Sequence, residues 1–140
     1  RRSCLEAAHA AGIQGDRIWH SDNPSARDVA LGPANEGVHM RLTWVPEMPD
    51  PQSQKFAADF QLAYGVAPEF HGAGGYACGE VLERAAEAAG VWEAGALRRA
   101  SPGGSFPTVV GPLRFRAGGL PESVLRIGRW KNGALTILDA

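Results

Sequence analysis

The clearest period-two run in the chain is "EGVHMRLTWVP", residues 36–46. Val38, Met40 and Leu42 alternate there with His39, Arg41 and Thr43. Apolar side chains on one face and polar ones on the other predict a strand. The period turns helical elsewhere. In "SCLEAAHAAGI", Leu5, Ala8 and Ala11 share a helical face and Gly12 is a natural stop. Beyond Pro46 and Pro49, the pair Asp50-Pro51 supplies an N-cap and a first-turn residue. The helix that follows carries Phe56, Phe60, Ala63 and Tyr64 on one stripe and ends at Gly65. In "PEFHGAGGYACGEVLERAAEAAG", three glycines crowd ahead of Tyr76, which falls in the first turn of an amphipathic helix. Its predicted buried face is Cys78, Val81, Leu82, Ala85 and Ala89; Glu80, Glu83, Arg84 and Glu87 take the other side, and Gly90 closes it.

Shorter elements fill the gaps. Residues 17–20 predict a strand, and residues 24–31 a helix broken by Gly32-Pro33. Residues 93–100 predict one more helix, and "SPGGS" a loop. The tail is strand-like in "PTVVGPLRFRAGG", "ESVLRIGRW" and "ALTILDA". Asn132-Gly133, set between the last two apolar runs, is a strong hairpin signal. Helices and strands that alternate early, with antiparallel strands late, predict an α/β fold.

Composition narrows the function without choosing it. At 140 residues the chain is long enough for one domain with a core. A net charge of −1 gives no bulk field to attract nucleic acid or an anionic membrane. No apolar run approaches the roughly 18–20 residues of a membrane-crossing helix. Cys4 and Cys78 are few and far apart, which predicts buried free thiols rather than a disulfide.

The usual motifs of catalysis and cofactor binding are missing. His9, His20, His39 and His71 have no partner at zinc-site spacing, and no metal or cofactor is expected. "GAGGYACG" is neither a dinucleotide fingerprint nor a phosphate-binding loop, and there is no nucleophile elbow. A Cys78–His71 thiol pair would need an accessible sulfur, whereas the pattern puts Cys78 on a buried face. Two places offer binding chemistry. "WHSDNPS" gathers Ser21, Asp22 and Asn23 just past a strand, where ligands bind in open α/β sheets. Asp22 could accept from an ammonium or amide, and Ser21 could hold an anion; equally, these residues could cap the next helix. Tyr76 could offer a ring face and hydroxyl to a cleft, or be a core aromatic whose hydroxyl reaches water.

Read in order, "GPANEG" into a strand, "FQLAY", "YACGEVLERA", "TVVGPLRF" and "WKNG" resemble the last third of the solute-binding proteins of branched-chain amino acid and amide ABC transporters. These are type I periplasmic binding proteins, and the resemblance covers nearly all of the chain. It implies two α/β lobes that close on a small polar solute and deliver it to a membrane permease. No enzymatic activity is implied, and the location would be periplasmic. A ligand-sensing domain of the same fold in a regulator or receptor is the alternative. Residues 1–44 would belong to the second lobe, 45–112 to the crossing and first-lobe helices, and 113–140 to the return strands and closing hairpin. The family's cleft carboxylate falls on or near Asp22, and a family tyrosine that starts the equivalent helix falls on Tyr76. With half the cleft contributed by sequence not present in these 140 residues, the chain by itself is expected to bind weakly or not at all. Two departures stand out. "HSDNPS" replaces a glycine-rich loop, and Arg129 stands where many relatives have glutamine before Trp130.

Overall fold

The computed structural model describes residues 2–20, 23–101, 104–116, 118–122 and 125–138. The chain forms two compact units, Arg1–Val45 with Leu125–Ala140, and Pro46–Val124.

The first unit is built on a four-stranded sheet of order β1-β2-β6-β7, namely Trp19–His20, His39–Leu42, Arg126–Lys131 and Ala134–Ile137. β1 and β2 are parallel, and β6 and β7 add antiparallel. The predicted alternation in β2 holds: Val38, Met40 and Leu42 are all buried. Trp130 shares their face and donates from Nε1 to Met40 Sδ at 3.0 Å. Gly128 also lies on this face, where a Cβ would stand only 2.7 Å from Leu42 Cδ1. The opposite face runs in register through Trp19, His39, Arg129 and Thr136, with the Trp19 and His39 rings stacked at 4.8 Å. Asn132 and Gly133 both adopt positive φ, 52° and 75°, which gives the β6–β7 hairpin the twist its strands require.

Helix α1, Arg2–Ala10, buries Leu5. The link from β1 to β2 is more broken than its sequence pattern predicts. Gly15–Arg17 is a 3-10 turn, so only Trp19–His20 is extended. Helix α2 is a single turn, Ala26–Val29, and a second 3-10 turn covers Gly32–Asn35. The α2 cap is Ser25, whose N–H donates to Asp28 Oδ2 at 2.7 Å. Asn23 does something else: its Oδ1 accepts from Thr43 N at 2.7 Å, tying the loop after β1 to the end of β2.

The second unit holds three helices, α3 Pro51–Tyr64, α4 Phe70–Ala89 and α5 Ala94–Ala100. It also holds a small antiparallel sheet of β3 Ser105–Phe106, β4 Leu113–Phe115 and β5 Pro121–Glu122. α3 starts and stops as its sequence predicts. Asp50 accepts from Ser53 N at 2.8 Å, Pro51 opens the helix, and Gly65 closes it in the left-handed conformation. α5 is capped by Glu93, which accepts from Gly95 N and Ala96 N, each at 2.8 Å.

Three expectations fail in this unit. "PTVVG" is a turn rather than a strand: Thr108 Oγ1 donates to Gly111 O at 2.6 Å and Gly111 N–H returns to Thr108 O, a local closure that competes with extended pairing. α4 begins at Phe70, so its glycines lie inside the first two turns and Tyr76 sits in the second. The buried residues of α4 are Ala73, Ala77, Ala85 and Ala86, whereas Cys78 and Leu82 are exposed. α5 and β3 pack on α4, and the buried positions of α4 are its small residues, while Cys78 and Leu82 turn outward. Cys4, expected to be buried, is exposed as well, and both cysteines are free thiols.

Candidate functional site

Of the three residues singled out from the sequence, Ser21 and Asp22 lie outside the described residues. Tyr76 is described, and it is 55% exposed. Its ring is not part of a closed core; it forms one wall of a cavity between α3 and α4.

The wall is an aromatic ladder set by helical spacing. Phe56, Phe60 and Tyr64 recur every four residues on α3, one above another. Adjacent ring centroids are 5.7 Å and 4.5 Å apart, and Tyr76 joins from α4 at 4.9 Å from Phe56. All three contacts are tilted, as ring quadrupoles favour. The cavity they border is about 580 Å³, within the range typical of small-molecule sites. Its glycine side is Gly72 and Gly75 of α4. A Cβ on Gly72 would meet Phe60 at 3.5 Å, an ordinary contact, so the bareness of this helix is not forced by crowding.

The floor is polar. Glu80, one turn after Tyr76, accepts from Gln52 Nε2 at 2.6 Å and from Val109 N at 2.8 Å. The buried Ser53 hydroxyl donates to Val109 O, which locks the 108–111 turn onto α3. At the rim, Lys55 bonds to Asp59; that hydrogen bond, more than the accompanying charge attraction, raises the Lys55 pKa above its usual value. His71 is also on the lining. Among the described residues no group of three His, Cys, Asp or Glu is arranged to hold a metal ion.

Sequence patterning placed Tyr76 and the α3 stripe but missed Glu80, which it assigned to a solvated face. The signal was present in its spacing of four from Tyr76; what no pattern carries is that Gln52 and Val109 come to meet it.

The model for the periplasmic binding protein family matches residues 2–134. No curated protein sequence matches the chain significantly. Among solved structures, it is similar to an ABC-transporter solute-binding protein from R. palustris in complex with benzoate. The identity is 26% with a TM-score of 0.75, over 94% of this chain and 37% of that one. It is similar to a leucine-binding protein from Thermotoga maritima at 23% identity and TM-score 0.79, over 98% of this chain and 40% of the other. A substrate-binding protein of an amino acid ABC transporter from Pseudomonas fluorescens gives 18% identity and TM-score 0.80, with the same two coverages of 98% and 40%. The chain thus spans about two fifths of the length of these relatives. It belongs to the periplasmic binding protein family, with the α/β fold of the type I, leucine-binding-protein-like members.

Proposed function

We propose that this chain is part of the substrate-binding component of an ABC transporter. It would capture a small polar solute, such as an amino acid, an amide or a related carboxylate, outside the cytoplasmic membrane and pass it to a permease. The family match over residues 2–134 carries this reading. In such a component binding selects the closed arrangement of two lobes, so the protein acts as a capture module and not as an enzyme. Residues 1–44 are assigned to one lobe and 45–112 chiefly to the other, with 113–140 as the return. Ser21 and Asp22 are assigned to the solute site from their place just past the predicted strand 17–20 and, for Asp22, from the resemblance. For Tyr76 there is added support: it presents an exposed ring and hydroxyl at an aromatic-walled cavity of suitable size.

The test is calorimetric titration of the intact protein with amino acids, amides and aromatic acids. Tyr76→Ala is expected to weaken the best ligand about tenfold, the loss of one well-placed ring contact. Unchanged affinity in that variant would remove Tyr76 from the site, and failure of every solute class to bind would overturn the transport reading.

A further inference from the structure

The charges around the α3–α4 cavity do not cancel. Lys55 is matched by Asp59 at the rim. Glu80 at the floor is matched by nothing: among the described residues its carboxylate meets two neutral donors, the Gln52 amide and the Val109 N–H, and no cation. Two hydrogen bonds occupy about half of the acceptor sites of an ionised carboxylate, which offers roughly four. The remaining lone pairs belong to a group that lines the cavity together with Phe56, Phe60 and Tyr76. A ring face is electronegative at its centre and attracts cations. Carboxylate and ladder therefore act in the same direction.

We propose that this cavity selects a solute bearing an N–H donor, a protonated amine foremost and an amide next, attached to an apolar or ring-shaped body, with Glu80 as the acceptor. The body lies against Tyr76, Phe56 and Phe60, and the nitrogen points to Glu80. A simple aromatic carboxylate fits the ladder by shape but brings its anion toward Glu80, so it is rejected. This proposal rests on the reading that the Tyr76 cavity is the solute site.

The probes are 2-phenylethylamine, benzamide and benzoate, which share a ring and differ in the polar group. Titrated into the intact protein, they are expected to bind in that order of decreasing affinity. Glu80→Gln keeps an acceptor for Val109 N and removes the charge. It should cost the amine about tenfold or more and leave benzoate no weaker. A melting temperature close to that of the unsubstituted protein confirms that Glu80→Gln folds; should it not, raised salt on the unsubstituted protein provides the second reading, weakening the amine selectively. Benzoate that binds as tightly as the amine, or an amine preference untouched by Glu80→Gln, overturns the proposal. Tyr76→Ala separates the two readings. Loss of the amine in Glu80→Gln with no effect of Tyr76→Ala leaves Glu80 as the acceptor and removes the tyrosine. The converse keeps the tyrosine and sinks the charge-based selection.

Discussion

Two sets of glycines, one in each unit, stand for opposite reasons. In the first, Gly15, Gly37 and Gly128 stand where other atoms have come too close for a side chain. A Cβ on Gly15 would lie 1.9 Å from the Glu36 carbonyl oxygen, and one on Gly37 would lie 2.9 Å from Asp16 N. In the second unit, Gly74, Gly75 and Gly79 lie inside α4 with nothing within 4 Å of the missing Cβ. The contrast extends to packing. The first unit buries Val38, Met40, Leu42, Trp44 and Trp130, large side chains drawn together by a sheet. α4 buries four alanines and leaves Tyr76 and Leu82 outside. A sheet-built unit is held by volume, whereas α4 is held by close approach and keeps its larger groups for contacts beyond itself.

Substitutions should break this contrast in a definite order. The largest effect is expected from Leu42→Ala, at a side chain with 0% exposure beneath Gly128. Loss of about 2–5 kcal/mol in denaturant unfolding fits a core residue whose neighbours cannot collapse fully. A loss below 1 kcal/mol would mean that the sheet is not packed as described. Next, Gly15→Ala should destabilise by about 1–3 kcal/mol, because the Glu36 backbone must move to admit a methyl group. A neutral result there would erase the distinction between the two sets of glycines. Gly75→Ala and Gly79→Ala should have the reverse sign, each stabilising by up to about 1 kcal/mol, since alanine has the better helix propensity and meets no atom. If either one destabilises the intact protein, that face of α4 is covered by something that requires a bare helix.

The smallest expected effect is at the edge of the second unit. Glu93 has its carboxyl pKa lowered by the hydrogen bonds it accepts, first from Gly95 N and then from Ala96 N. A lowered folded-state value means that the cap contributes above the ordinary carboxylate pKa and is lost as pH falls through the folded one. The Gly95 and Ala96 amide resonances should therefore shift on acidification with a midpoint below 4.5, and Glu93→Gln should abolish that titration. A midpoint at or above 4.5 would show that the cap is not formed in solution.

Much of this molecule is legible where one residue type answers a local need. Asp50-Pro51 and Gly65 bound α3 because capping and left-handed backbone are settled within a turn or two. Asn132-Gly133 marks a hairpin because both positions need positive φ. The period-two run of β2 shows its inner face directly. Legibility fails where two segments compete for the same backbone, as at Thr108–Gly111, and where a helix has two plausible inner faces, as in α4. Reading the bulkier face of α4 as buried follows the usual rule. That rule assumes a neighbour with room for large side chains, and the buried positions of α4 are alanines instead.

The sequence by itself determined the order and kind of most elements, the two ends of α3 and the β6–β7 turn, because these depend on backbone preference and on the spacing of apolar residues; the binding-protein family came from the resemblance of its motifs. Only the tertiary structure decided that Cys78 faces outward, that Gly74, Gly75 and Gly79 of α4 stand open, and that Glu80 reaches Gln52 and Val109 across 28 and 29 residues of chain. Those outcomes depend on which surfaces meet, and the meeting of distant surfaces is set by packing between elements rather than by any pattern within one.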